Sequence, residues 1–354
     1  MFVLDSHCDT PSQILRLRDL SIDGEYSHVD FPKLRRGGVD GAFFALYVPA
    51  CLDTEEAYLH AHRLLYAVHS LIRQNPAAVR LTLSERDAKQ NQAEGVFSMF
   101  MGLENGSPVG SRIDRLHEFY DAGVRYMTLC HSRDNQICDS CSSASGRWGG
   151  LSAFGKDVIA EMNRMGMLVD VSHISDAAFY DVLRCSKMPV VATHSCCRAL
   201  SDHPRNMTDD MIRALASEGG VIQINFYPLF LDVGFRNILS ASGIMDYGEA
   251  VEDAFIKDPS DPDKRSAWND VQKALLELPR PSFKKIADHI DHVVSLVGVN
   301  HVGLGSDYDG IEVTPDGMED ISMMPKIFDE LRSRGYSEAD LAKIASENFF
   351  RILQ

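Results

Sequence analysis

Residues 167–194 read MLVDVSHISDAAFYDVLRCSKMPVVATH and contain the pattern that decides the fold. Two short apolar runs, Met167–Val171 and Pro189–Thr193, are each followed within two residues by a histidine. Near-continuous apolar runs of this length are typical of strands that are buried on both faces of a parallel sheet. This stretch therefore predicts two buried strands, each followed by a polar residue.

Six more strand-like runs occur at Phe2–Ser6, Gly41–Val48, Val96–Leu103, Val124–Leu129, Gly220–Phe226 and His301–Ser306. Apolar residues at helical spacing occupy 154–162 and 283–297, and Ser337 is a suitable N-cap for a last helix. Eight strands alternating with helices predict a (β/α)8 barrel of the TIM type. An open doubly wound sheet is the alternative, but no Gly-x-Gly-x-x-Gly follows the first run.

The spacing of the runs predicts one barrel domain over residues 1–354 with an insertion at about 227–281. This stretch is far longer than the usual βα loop of roughly two to six residues. Insertions of this kind form lids, oligomer contacts or solvated surface segments. The sequence leaves these three roles open.

The composition excludes several classes of protein. The 354 residues include 51 acidic and 35 basic side chains, a formal charge of −16. This balance argues against nucleic-acid and anionic-membrane partners, because both need a positive surface. Neither a signal peptide nor a long apolar segment is evident, so we expect a cytoplasmic protein whose eight cysteines are reduced.

Polar residues of the metal-binding type recur where the predicted strands end. They are His7, Asp9, Glu104, His131, His173, His194 and Asp307. All strand ends of a (β/α)8 barrel open onto one face, which is where active sites are built. The seven side chains are therefore expected to meet at one mouth.

Imidazole nitrogens and carboxylate oxygens together are suited to zinc or a similar divalent ion. One ion would leave several of these ligands unused, whereas a binuclear site with a bridging carboxylate uses the set better. His7 and Asp9 are two residues apart, so in an extended segment both side chains can address the same ion.

The order and context of several motifs resemble the renal (membrane) dipeptidase family of the amidohydrolase superfamily, and its soluble bacterial-type members in particular. The motifs are LDSHCDTP, GLENG, RYMTLCHS, GMLVDVSHIS, VVATHS, RNMTDDMI, INFY and VGLGSDYDG. The resemblance implies a barrel of the metal-dependent hydrolase kind that holds two Zn²⁺ per subunit and forms a homodimer. It also implies that a metal-bridged hydroxide hydrolyses dipeptides, with a D-residue tolerated at the C-terminal position.

The resemblance also implies a role for each matching residue. His7 and Asp9 would bind one zinc ion, His173 and His194 the other, and Glu104 would bridge them. His131 would contact the substrate near the scissile carbonyl and take part in catalysis. Arg205 would bind the C-terminal carboxylate of the substrate, and Asp307 would be the catalytic acid and base.

Two other functions fit the same residues. The first is another amidohydrolase reaction at the same centre, either removal of an N-acyl group from a D-amino acid or opening of a cyclic amide. The second is a binding protein that has kept the barrel and lost turnover. Retention of all the metal-type residues argues against the second.

Overall fold

The strands form one parallel sheet that curls into a barrel. The computed structural model describes residues 1–25, 27–258 and 260–353. Its strands are β1 (Leu4–Cys8), β2 (Gly41–Tyr47), β3 (Val79–Leu81), β4 (Phe97–Glu104), β5 (Val124–Thr128), β6 (Leu168–Asp170), β7 (Val191–Ser195), β8 (Val221–Ile224) and β9 (Val302–Leu304). Eight of them pair in the order β1-β2-β4-β5-β6-β7-β8-β9, and β3 pairs with β4 outside this path.

Hydrogen bonds between the end of β1 and the residues that follow β9 bring the two ends of the sheet together. The Asp307 amide donates to the His7 carbonyl at 2.9 Å, and the Asp9 amide donates to the Tyr308 carbonyl at 2.8 Å. The predicted (β/α)8 barrel is confirmed, and each of the eight predicted runs overlaps one of its strands. The open sheet considered as an alternative is wrong, whereas β3 was not predicted.

Helices surround the barrel and connect its strands. They are α1 (Thr10–Leu15), α2 (Phe31–Arg36), α3 (Thr54–Gln74), α4 (Glu85–Glu94), α5 (Ile113–Asp121), α6 (Ala153–Met165), α7 (Asp176–Cys185), α8 (Asp209–Ser217), α9 (Pro228–Leu231), α10 (Val233–Ser242), α11 (Met245–Lys257), α12 (Pro262–Leu276), α13 (Lys284–Val297), α14 (Pro325–Ser333), α15 (Glu338–Ala342) and α16 (Asn348–Phe350). The predicted cap at Ser337 is confirmed, because its side chain accepts a hydrogen bond from the Asp340 amide. A π-helical turn over Lys343–Glu347 then joins α15 to α16.

The insertion predicted at about 227–281 contains the helices α9 to α12. Apolar side chains of these helices are buried, among them Phe235 of α10 and Trp268 of α12. The insertion is thus a packed helical segment in its described part. No helix in the described ranges is both long enough and apolar enough to cross a membrane.

Aromatic rings fill the barrel below its carboxyl ends. The Phe43 ring centre lies 4.7 Å from that of Phe100, 5.1 Å from that of Tyr126 and 4.9 Å from that of Phe349. Gly102 makes room for this layer, because a Cβ there would lie 2.1 Å from the Tyr126 ring. The floor of the site is therefore rigid and apolar.

Candidate metal centre

The carboxyl ends of the strands bring all seven predicted polar residues together. His7 lies in β1, Glu104 ends β4 and His194 lies in β7. The other four follow β1, β5, β6 and β9 in the connecting loops; they are Asp9, His131, His173 and Asp307. Their ligand atoms form three overlapping groups, in each of which all atoms lie within 4.8 Å: His7, Glu104 and His194; Glu104, His131 and His173; His7, Asp9 and Asp307.

The Glu104 carboxylate lies at the centre of the cluster. Its Oε2 is 3.4 Å from His7 Nε2. Its Oε1 is 3.2 Å from His173 Nε2 and 3.5 Å from His194 Nε2. Because each oxygen faces a different set of imidazoles, the carboxylate has the placement that a ligand shared by two cations needs.

Several of these polar atoms are buried without a protein partner. His7 Nε2 and Asp9 Oδ1 have no hydrogen bond from any residue that the structure describes. The Nε2 atoms of His173 and His194 lie 2.8 Å apart, so both rings address the same point. Buried unsatisfied nitrogen and oxygen atoms are costly unless something binds them. This donor set fits divalent cations of the zinc type.

Burial and neighbouring charges keep two of the histidines in the neutral form that binds a metal ion. Burial lowers the pKa of His173 well below its usual value, and the Arg205 guanidinium lowers it further. Burial also lowers the pKa of His194, as does the nearby His7. Both rings are therefore neutral at pH 7 and can offer a lone pair.

In the absence of a cation, the pKa of the Asp9 carboxyl is shifted toward the protonated form. Burial raises the pKa of Asp9 well above its usual value, and repulsion from the Glu104 carboxylate raises it further. Two carboxylates crowded in a dry site repel each other until positive charge is added. Bound cations would supply that charge.

Arg205 and His131 line the same mouth. Arg205 Nη2 donates to the His194 carbonyl at 3.0 Å, while its Nε and Nη1 have no partner within the described part of the chain. Arg205 is only 6% exposed. His131 Nε2 lies 3.8 Å from Glu104 Oε1. A buried guanidinium with two free donors next to the cluster is suited to an anionic group of a ligand.

The chain matches one known protein family over its whole length. The sequence model of the membrane dipeptidase family, peptidase family M19, matches residues 1–354. The chain belongs to this family. Two curated relatives are the fungal dipeptidase aclJ of Aspergillus oryzae, 31% identical over 97% of this chain and 73% of that protein, and dipeptidase verJ of Clonostachys rogersoniana, 29% identical over 99% and 83%.

Solved structures agree with this assignment. The probable dipeptidase PvdM from Pseudomonas aeruginosa superposes with a TM-score of 0.82 at 26% identity, covering 100% of this chain and 94% of that one. A metallopeptidase from Rhodobacter sphaeroides, liganded with a phosphinate mimic of L-Ala-D-Ala, gives 0.81 at 25% identity, covering 100% and 98%. The predicted family and the prediction of a metallo-dipeptidase, a peptide-bond hydrolase, are confirmed.

In this member of the dipeptidase family, a second layer of side chains orients the histidines. His7 Nδ1 lies 2.7 Å from Tyr126 Oη. His194 Nδ1 lies 2.8 Å from Thr193 Oγ1, which in turn donates to Asp170 Oδ2 at 2.7 Å. These contacts leave each Nε2 directed at the cluster. Sequence reasoning missed all three partners; the one signal was an aspartate inside the apolar run MLVDV.

The backbone is strained at the site. In the described ranges, the non-glycine residues with positive φ are Leu17, Asn105, His173, Asp307 and Asp309. Asn105 directly follows Glu104, and φ is +70° at His173 and +64° at Asp307. Each such residue destabilises the folded state by on the order of 1 kcal/mol or more. The loops therefore hold the His173 and Asp307 side chains in their directions at the expense of stability.

We predict that Tyr126→Phe weakens metal binding by roughly 10- to 100-fold, because His7 loses the contact that fixes its ring. The ring of Phe preserves the packing against Phe43, so the fold is expected to persist. Affinity is measured by competition with a chromogenic chelator. Tyr58→Phe is the matched control, since its hydroxyl contacts Glu118 on the outer helices. Equal metal affinity in Tyr126→Phe and the wild type would contradict the role given to Tyr126.

Proposed function

We propose that the chain is a zinc-dependent dipeptidase with two Zn²⁺ per subunit. The observation that carries the proposal is the Glu104 carboxylate, whose two oxygens face His7 on one side and His173 with His194 on the other. The L-Ala-D-Ala mimic bound to the Rhodobacter relative supports a substrate range that includes a D-residue at the C-terminal position.

His7 and Asp9 would hold one zinc ion, His173 and His194 the other, and Glu104 both. Two such ions supply Lewis acidity, which activates water near neutral pH and polarises the scissile carbonyl. The protein's part is to hold the ligands at fixed separation. It does so through the outer contacts of Tyr126 and Thr193.

Asp307 would move the proton. Its Oδ2 accepts a hydrogen bond from Asn225 Nδ2 at 2.9 Å, and its Oδ1 lies 4.0 Å from His7 Nε2 at the cluster. With one oxygen held, the other can take a proton from the attacking water and pass it to the departing amine. The peptide bond then breaks to give a free amine and a free carboxylate.

His131 is suited to stabilise the oxyanion that forms on the carbonyl. Burial lowers the pKa of His131 to about 4, so its ring is neutral at pH 7 and can donate one hydrogen bond. A donor of this kind contributes roughly 2.7 to 4 kcal/mol to transition-state stabilisation.

Arg205 sets the length of the substrate. Its two unpartnered donors can bind a carboxylate in a bidentate manner. A dipeptide places its terminal carboxylate one residue beyond the scissile bond. A longer peptide would put a neutral amide at that point and leave the buried guanidinium unpaired, which is costly.

The proposal is tested by amine release from a panel of L-L and L-D dipeptides, the matching tripeptides and N-acyl amino acids. We expect dipeptide cleavage that disappears after treatment with a chelator and returns with zinc, and little cleavage of tripeptides. Protein that binds metal yet cleaves only the N-acyl amino acids would contradict the proposal and favour the deacylase alternative.

Two variants separate binding from turnover. Asp307→Asn is expected to lower kcat by roughly 10²- to 10⁴-fold with metal retained, because the proton carrier is lost. Arg205→Ala is expected to raise KM by roughly 10- to 100-fold with a smaller change in kcat, because a charged hydrogen bond is lost. Steady-state kinetics and metal analysis measure both. The same loss in both parameters for both variants would refute this division of roles.

A further inference from the structure

Among the described residues, no hydrogen bond fixes the direction of the His131 ring. Its Nδ1 is buried and has no partner there. Its Nε2 lies 3.8 Å from Glu104 Oε1, which is too far for a hydrogen bond. The ring packs against those of Tyr47 and His173, at centre distances of 4.9 and 4.2 Å. The place of the imidazole therefore depends on where its backbone is held.

The backbone around His131 is closed by the side chain of Asn135. Asn135 Nδ2 donates to the Leu129 carbonyl at 2.8 Å, and Leu129 directly follows β5. Asn135 Oδ1 accepts from the Ile137 amide at 2.8 Å. One side chain thus joins the two ends of residues 129–135, the His131 segment.

The same amide group anchors the His131 segment beside Glu104. Asn135 Nδ2 also donates to Asn105 Oδ1 at 3.1 Å. Asn105 is the residue after Glu104 and is only 2% exposed. Its own Nδ2 donates to the Val48 carbonyl at 2.9 Å. The position of His131 is therefore set relative to β4, the strand that carries Glu104.

A second contact holds the carbonyl of His131 itself. Ser140 Oγ donates to this carbonyl at 2.5 Å. Ser140 Oγ also lies 3.5 Å from the His173 carbonyl, which accepts from the Cys141 amide at 2.8 Å. A change at Ser140 would therefore disturb a proposed metal ligand as well. The hydrogen bonds of the Asn135 side chain reach none of the proposed metal ligands.

Asparagine is the side chain that these contacts require. The two oxygens next to Asn135 Nδ2 need donated hydrogens, while the Ile137 amide needs an acceptor. An amide offers both, whereas an ionised carboxylate only accepts. Asn135→Asp would therefore keep the shape and the bond from Ile137. It would lose both donated bonds and place oxygen against oxygen.

We propose that Asn135 is the positioning residue of His131, which it holds where the oxyanion of the substrate forms. The inference rests on the proposed dipeptidase function and deepens it. Asn135 contributes no group to the reaction and acts only through His131. Such placement matters because a shift of about 1 Å in a reacting group can slow turnover roughly 10²-fold.

The test is a double-mutant cycle of Asn135→Asp and His131→Ala. We expect Asn135→Asp to lower kcat for L-Ala-D-Ala roughly 10- to 100-fold and to change KM less than about threefold, because the oxyanion donor is displaced. In the His131→Ala background the same change should lower kcat less than about twofold, since the group that Asn135 positions is gone. A general structural role would instead lower kcat equally in both backgrounds.

A phosphinate dipeptide gives a readout that needs no turnover. Its tetrahedral phosphorus resembles the transition state, so its affinity reports on the oxyanion contact. Titration calorimetry should show its Kd rising roughly 10- to 100-fold in Asn135→Asp. The same substitution should leave the Kd unchanged in the His131→Ala background.

Asn348→Asp is the matched control. Asn348 Nδ2 likewise donates to two carbonyls, those of Val299 and Val302, at 2.7 and 2.8 Å. Val302 begins β9, so these contacts lie at the end of the barrel opposite the metal centre. This variant should lose stability and leave kcat and the phosphinate Kd unchanged.

Asn105→Gly is a second variant on the same contact. It removes the oxygen that accepts from Asn135, and glycine adopts the φ of +81° at this position without strain. We expect a smaller loss of kcat with the same dependence on His131, because the bond from Asn135 to Leu129 remains. Metal content and thermal unfolding are measured for every protein.

The inference is overturned if Asn135→Asp changes neither constant, or changes both by the same factor with and without His131. Loss of bound metal from this variant would overturn it as well, because the effect would then not pass through His131. If Asn135→Asp does not fold, Asn105→Gly decides by the same comparison. These results leave the proposed dipeptidase function intact. A wild-type protein that cleaves no dipeptide would instead refute the proposed function, and the inference with it.

Discussion

The buried carboxylate of Glu104 is the group on which the rest of the site depends. Its two oxygens face different imidazoles, and the barrel surrounds it with histidines held from behind by Tyr126 and Thr193. A carboxylate in such a place is costly to bury unless positive charge meets it. Closure of the sheet into a barrel makes these contacts possible, because Glu104 of β4 can reach His7 of β1 and His194 of β7 only if the sheet is curved on itself.

Much of this arrangement could be predicted from the sequence, for a physical reason. Strands buried on both faces read as continuous apolar runs, and eight parallel strands in a barrel direct all their carboxyl ends to one face. Residues such as His173 and His194 could therefore be placed together without coordinates. The strand β3 escaped prediction because its three residues, Val79–Leu81, are too few to show a period.

The contacts that the sequence did not predict form only when the barrel is closed. Tyr126 and Asp170 lie inside apolar runs, and their contacts with His7 and with Thr193 exist only once neighbouring strands are in register. Asn225 reaches Asp307 across the end of β8 in the same way. The positive φ angles at His173 and Asp307 arise from loop packing. The ion pair between Asp253 of α11 and Arg133 in the loop after β5 likewise forms only in the folded chain.

The central claim, that Glu104 joins two metal ions, is tested most directly by anomalous diffraction at the zinc edge from crystals of the zinc-loaded protein. The account predicts two anomalous peaks at the mouth, one next to His7 and Asp9 and one next to His173 and His194, with Glu104 contacting both. A single peak that leaves one of these pairs without metal, or peaks that do not touch Glu104, would contradict it.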